Sequence, residues 1–239
     1  MSSFAVLTAN AGLLLNIEGT TVLIDALHTG SKRFSGVSED VLDMIISGEG
    51  DFSHIDYMIV THDHPDHASL RHINRFLKVH DETIVFSPLK GIYGEHVNQL
   101  MLPSEEYVFG GDSLYFRNMT HDGVEYSDVR NYAGIVTVNG KRISFFGDTG
   151  IGNVQLTNEF SEKFDLSIYN FPFLTLTKGR EVIKKMAPEE CIICHIPFAF
   201  DDINGYRDSV SRVFSKHELT LPLMHIMDTE LQKMKLFEG

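Results

Sequence analysis

Only two of the 239 residues are cysteines, Cys191 and Cys194, and both fall in one short segment. That excludes a disulfide framework and fits a reducing cytoplasm. Long apolar runs are missing too: Ala11 to Leu15 is among the longest, whereas a bilayer span needs roughly 20 apolar residues. No basic stretch precedes an apolar one at the N-terminus, so no signal peptide is expected. Positive charge is scarce. Twenty Lys and Arg stand against thirty-three Asp and Glu, a net charge of −13. This disfavours nucleic acid as a partner, because such a partner requires basic side chains to replace the counterions of its phosphates. A small molecule, phosphorylated or not, remains compatible. The remaining composition, 43% hydrophobic and 22% charged, is that of an ordinary globular chain, long enough to bury a full core. No linker or charge block divides residues 1–239, so a single unit is expected; nothing in the sequence sets an oligomeric state.

What the sequence does have is the stretch Val60-Thr61-His62-Asp63-His64-Pro65-Asp66-His67. Three imidazoles and two carboxylates fall within six residues, directly after the apolar run Tyr57 to Val60. A strand ending in such a cluster leaves its polar groups on a turn, pointing away from the sheet. Imidazole and carboxylate together suit zinc, manganese or iron. The stretch is read as a metal site.

The elements around it follow from periodicity. Ala5 to Asp25 reads as two or three short strands, the last being Thr21 to Ile24 and ending at Asp25. Asp25 serves either to start a turn or to orient a metal-bound histidine. Ser38 to Ile46 is expected to be helical, with Val41, Met44 and Ile45 on one face. A helix is expected again from Ser69, with Leu70, Ile73 and Leu77 inward and His72 and His80 at the surface. Ile84 to Phe86 reads as a strand. Residues 93–111 carry no firm assignment. Leu114 to Thr120 is a strand ending at His121. Ala133 to Val138 and Arg142 to Phe146 flank Asn139-Gly140, a strong hairpin signal, and the second strand ends in Gly147-Asp148-Thr149-Gly150. Leu166 to Tyr169 is a strand, Glu181 to Met186 a helix, Cys191 to Cys194 a strand ending at His195, and Ile203 to Phe214 a helix. Strands then helices, twice over, suggest two sheets between helices.

Four of these strands end in potential ligands: at the cluster, at His121, at Asp148 and at His195. Together they resemble the metallo-β-lactamase superfamily, whose His-x-His-x-Asp-His signature is matched by His62, His64, Asp66 and His67. Its later single ligands are matched in order by His121, Asp148 and His195. The resemblance runs from the strand before Asp25 to about residue 200. It implies an α/β, four-layer αββα sandwich with two divalent metal ions, zinc first, manganese or iron as alternatives. One ion would be held by His62, His64 and His121, the other by Asp66, His67 and His195, with Asp148 bridging. A water shared by the two would be the nucleophile, and in nuclease branches Asp66 is also considered as a proton carrier. Asp66 and Asp148 are thus the expected catalytic carboxylates. The chain looks most similar to the bacterial branch that includes the L-ascorbate-6-phosphate lactonases. The implied activity is hydrolysis of a small ester, lactone or phosphoester. The alternatives are a phosphodiesterase or nuclease of the same superfamily, or a metal-binding protein without catalysis.

Antibiotic-degrading members are exported and usually carry a cysteine where Asp148 stands, so a β-lactamase proper is not expected. His225 competes with His195 as the last ligand; His195 is preferred because it follows a helix-then-strand unit and precedes Ile196-Pro197-Phe198. Cys191-Ile192-Ile193-Cys194-His195 matches a haem-attachment pattern, but on a strand its two thiols face opposite ways. Asp63 is read as solvated. Tyr126, Asp128 and Arg130 follow His121 where a loop could meet substrate, with Arg130 read by default as a surface cation. His28, His54, His96 and His217 are expected at the surface.

Overall fold

A computed structural model describes residues 2–152, 158 and 160–238. Two seven-stranded sheets face each other. In the first, β1 (Phe4–Leu7), β2 (Leu13–Ile17) and β3 (Thr20–Ile24) form an antiparallel meander. It is extended in parallel by β4 (Tyr57–Ile59), β5 (Ile84–Ser87) and β6 (Val97–Gln99). The second has the antiparallel run β7 (Ser104–Phe109), β8 (Asp112–Thr120), β9 (Arg130–Val138) and β10 (Lys141–Phe145). Parallel strands β11 (Leu166–Asn170), β12 (Glu190–Cys194) and β13 (Leu223–Ile226) complete it. The chain then returns to the first sheet, where β14 (Lys233–Lys235) pairs with β1.

Three apolar layers hold this together. Between the sheets lie Leu13, Leu15, Ile24 and Ile59 from one side and Phe116, Val136, Phe145 and Ile192 from the other. On the outer face of the first sheet, α1 (Glu39–Ser47) and α2 (Leu70–Phe76) bury Leu42, Ile45, Ile73 and Phe76 against Leu14, Leu23 and Val85. On the outer face of the second, α3 (Phe171–Thr175), α4 (Thr177–Met186) and α5 (Tyr206–His217) bury Phe173, Leu174, Ile183 and Val210 against Phe146, Tyr169 and Ile193. The order is helices, sheet, sheet, helices. Among the described residues, no helix is long and apolar enough to cross a membrane.

Local chemistry explains most boundaries. Ser38 caps α1 by accepting from the Val41 amide, with Glu39 and Asp40 in the positive first turn. Asn139 and Gly140 both take positive φ, +49° and +72°, as the tight β9–β10 hairpin requires. Several expectations shift, and helix α4 already begins at Thr177 rather than Glu181. Helix α5 starts at Tyr206 rather than Ile203, because the Asp202 carboxylate accepts from the Tyr206 and Arg207 amides and fixes the first turn there. Leu70 is exposed, and α2 instead turns His72, Ile73 and Phe76 inward. His28 is also fully buried. The two cysteines are free. Cys194 faces the layer between the sheets and Cys191 the helix layer. Burial, with the charges of Asp25 and Asp148 behind it, pushes the Cys194 thiol up to about 12, so it is not poised for redox chemistry.

Candidate metal centre

Strand direction gathers the polar groups at one end of the sheets. Strands β3 and β4 run parallel, as do β10, β11 and β12, and β8 is antiparallel to β9, which is antiparallel to β10. The C-terminal ends of β3, β4, β8, β10, β11 and β12 deliver Asp25, the 62–67 turn, His121, Asp148, Asn170 and His195. Two donor groups result. His62, His64, His121 and Asp148 form one, and Asp66, His67 and His195 the other, the ligand atoms within each lying within 4.8 Å of one another.

Asp148 stands between them. Its Oδ2 is 3.9 Å from His62 Nε2 and 3.6 Å from His121 Nε2. Its Oδ1 is 3.5 Å from His67 Nε2 and 3.6 Å from His195 Nε2. Asp66 Oδ2 is 3.7 Å from His195 Nε2. Gly147 permits this approach: a Cβ there would lie 2.5 Å from Asn131 Oδ1 and 2.9 Å from Thr61 Cβ. Asn131 accepts from the Asp148 amide and donates to Thr149 Oγ1, while Asn170 donates to Asp148 Oδ1 at 3.3 Å. The Asp122 amide donates to the Asp148 carbonyl, tying the His121 strand end to the Asp148 turn.

Asp25 is buried and accepts from the Thr61 amide, at 2.8 Å, and from the Thr61 hydroxyl, at 2.7 Å. It faces His67 Nδ1 at 2.8 Å. A carboxylate so placed makes Nδ1 the donor and turns Nε2 toward the cluster. The Thr61 hydroxyl also lies 2.9 Å from His62 Nδ1, and the Asp122 carbonyl lies 2.6 Å from His121 Nδ1. His195 adopts a left-handed backbone, φ +60°, held where its amide donates to the Asn10 carbonyl.

The arrangement fits cations. Ring nitrogens that would otherwise carry lone pairs meet at 2.9 Å, His67 Nε2 with His195 Nε2, and at 3.1 Å, His62 Nε2 with His64 Nδ1. The buried Nε2 of His121 has no hydrogen-bond partner. Such a convergence is unfavourable unless a positive charge sits between the nitrogens. Proton affinities say the same. Burial keeps His62, His64 and His195 below the ordinary histidine value and therefore neutral, as ligands must be. Burial also opposes a charge on His67, but Asp148 and Asp25 overcome it and hold its pKa well above the ordinary value. Burial likewise opposes the Asp148 carboxylate, and His195 and His67 overcome that, keeping it well below its usual range. Without a cation, a proton on His67 supplies the positive charge.

The two groups open into a cleft of about 600 Å³. Lys32, Arg33 and Phe34 line one wall, and Asp122, Glu125 and Tyr126 line another. Phe34 packs edge-on against His195, ring centres 4.2 Å apart. Tyr126 lies 4.8 Å from His64. Arg130 and Asp63 are exposed. His225 is outside both groups, its Nε2 3.0 Å from Glu190 Oε2.

No family model matches the chain, and no curated protein matches it. Solved structures do. YhfI from Bacillus subtilis, described as a metallo-β-lactamase fold protein, is 16% identical with a TM-score of 0.62, over 98% of this chain and 100% of its own. A possible metal-dependent hydrolase from Veillonella parvula is 17% identical with a TM-score of 0.70, over 99% of this chain and 100% of its own. This is the metallo-β-lactamase fold. CmlA, a diiron β-hydroxylase from Streptomyces venezuelae, contains it too: 13% identity, TM-score 0.63, covering 98% of this chain and 54% of CmlA. The present chain thus spans about half the length of CmlA. On the metallo-β-lactamase fold, the seven candidate ligands and Asp25 all lie at one end of the two facing sheets. Thr61, Asn131 and Asn170, which the sequence did not single out, hold them there. His28, expected at the surface, is buried near this end, its neutrality enforced by burial and by the neighbouring His67 and His195. No residue pattern marks Asn131 or Asn170; Thr61 could have been suspected from its place beside His62.

Proposed function

We propose that the chain is a metal-dependent hydrolase of a small ester, lactone or phosphoester, in the manner of the lactonase-like branch its sequence resembles. The observation that carries the reading is Asp148, whose two oxygens face one donor group each. His62, His64 and His121 would hold one divalent cation, Asp66, His67 and His195 a second, with Asp148 shared. Two such ions supply Lewis acidity and lower the pKa of a water at the site. The remaining work falls to the protein. Asp25 and Thr61 fix the His67 and His62 rings, so that no reorganisation is needed when charge develops. Asp66, at the cleft, carries a proton toward the leaving oxygen. Phe34, Phe171 and Tyr126 wall the cleft and limit water.

The cleft volume suits a small molecule, and the net charge of −13 favours one over nucleic acid. Zinc is our first choice, with manganese and iron retained because imidazole and carboxylate accept all three. The diiron description of CmlA supports keeping iron. The two buried, free thiols support a reducing cytoplasm. The test is hydrolysis by metal-loaded protein of a phosphodiester, a phosphomonoester, a sugar-acid lactone, a thioester and a β-lactam, beside Asp148→Ala. Turnover of one class, lost in the variant, is expected. Two ions bound per chain with no turnover of any class would turn the reading toward a non-catalytic metal protein.

A further inference from the structure

The loop between β3 and α1 is built unlike the rest of the cleft wall. Its base is fixed: the Thr29 amide donates to the Pro65 carbonyl, Asn10 Nδ2 to the Ser35 carbonyl and the Phe198 amide to Ser35 Oγ. Gly30, at φ +76°, and Gly36 touch so closely that a Cβ on Gly30 would lie 2.4 Å from the Gly36 nitrogen. Between them the Ser31 amide closes a turn on the Phe34 carbonyl. Phe34 rests on His195, and the exposed tip, Lys32 and Arg33, lines the cleft. Several other cations of this acidic chain are paired, as in Lys141 with Asp165, Arg207 with Asp228 and Lys233 with Asp51. Among the described residues, the Lys32 ammonium and the Arg33 guanidinium have no partner. Asp122 and Glu125 also line the cleft, beside Tyr126, which packs on His64 and His121 rather than on His195. Away from the candidate ligands, the cations Lys32 and Arg33 thus lie beside Phe34, and the anions Asp122 and Glu125 beside Tyr126.

We propose that Lys32 and Arg33 form a cationic finger that selects substrates bearing a compact oxyanion, carboxylate or phosphate, away from the scissile bond. The proposal rests on the cleft being the substrate site. An unpaired ammonium and guanidinium on an anchored turn are pre-organised for charge-assisted hydrogen bonds. The Asp122–Glu125 wall turns the same anion away, so the ligand enters in one orientation.

The test measures binding, so it does not depend on turnover. Metal-loaded protein is titrated calorimetrically with butyrate, glutarate and 4-phosphonobutyrate, beside the double variant Lys32→Ala/Arg33→Ala. Both positions are exposed, and unchanged melting temperature and metal content confirm that the variant folds. The wild type is expected to bind each dianion about tenfold tighter than butyrate, and the variant to lose that preference while butyrate affinity stays put. A larger gain for 4-phosphonobutyrate identifies phosphate as the favoured group, and a larger gain for glutarate identifies carboxylate. The proposal is overturned if the variant keeps the preference, if all three ligands weaken together, or if the wild type shows none. Silence in the hydrolysis panel with the preference intact would remove the hydrolase reading alone. Turnover of neutral substrates without the preference would remove this one alone.

Discussion

The two donor groups of the candidate centre are enclosed to different depths. In the group of Asp66, His67 and His195, every member is buried, and His67 leans on a carboxylate, Asp25, that is itself locked by two hydrogen bonds from Thr61. In the other group His62 and His121 are buried, but His64 and Asp148 are partly open. His64 rests against the exposed ring of Tyr126, and His121 is oriented by the carbonyl of an exposed residue, Asp122. A ligand held by a buried, hydrogen-bonded partner loses little freedom when a cation arrives, whereas one held at the cleft mouth must still be ordered. If both groups hold cations, the first would be the tighter site and the second the more adjustable one, open to the cleft.

The most damaging way to break this contrast is to remove what the groups share. Asp148→Ala should leave the circular dichroism spectrum unchanged, reduce bound metal, and lower kcat/KM by about 10³-fold or more, the several kcal/mol of charge stabilisation that a paired-cation site provides. Wild-type turnover and metal content in that variant would refute the shared role. Asp25→Asn should act on the deep group only, weakening one of two metal affinities by about 10- to 100-fold while the other holds; competition with a chromophoric chelator reads both. In the unaltered protein the same chelator should strip the shallow ion first, and simultaneous loss would erase the distinction.

Protons sharpen the contrast further. His67 has a pKa raised above its unfolded value of about 6.5, so in metal-free protein its proton adds stability that is fully present below that value. The contribution is lost as pH rises through the folded-state pKa. Metal binding near pH 7 should therefore expel about one proton from the deep group, and the release should diminish with rising pH and in Asp25→Asn. Calorimetry in buffers of different ionisation heat measures it. The smallest effect belongs to Tyr126, whose ring touches His64 and His121. Tyr126→Phe should change kcat/KM by less than about twofold, consistent with a surface change of under ~0.5 kcal/mol.

Much of the candidate centre is legible in the sequence. Six residues deliver four candidate ligands, because a turn after a buried strand can only splay its side chains outward. Asp148 and His195 were found as polar residues closing apolar strands, and Asn139-Gly140 fixed the hairpin that places Asp148 at that end of its sheet. Other features escaped. Helix α2 has seven residues, too few turns for periodicity to name its buried face, and the sheet it docks on chose His72 over Leu70. Strand β7 is an edge strand, its residues alternating only between exposed and partly buried, so 93–111 showed no clear pattern. His28, Asn131 and Asn170 look like any polar loop residue until the loops are packed.

The sequence by itself determined which side chains could bind a cation, the strands that carry them and the αββα order, since these depend on residue type and local spacing. The tertiary structure alone decided the rest. It placed the two oxygens of Asp148 between two groups, locked Asp25 onto His67 through Thr61, and turned Lys32 and Arg33 over the cleft. Those relations join residues dozens to more than a hundred positions apart, and only the packing of two sheets fixes distances across such separations.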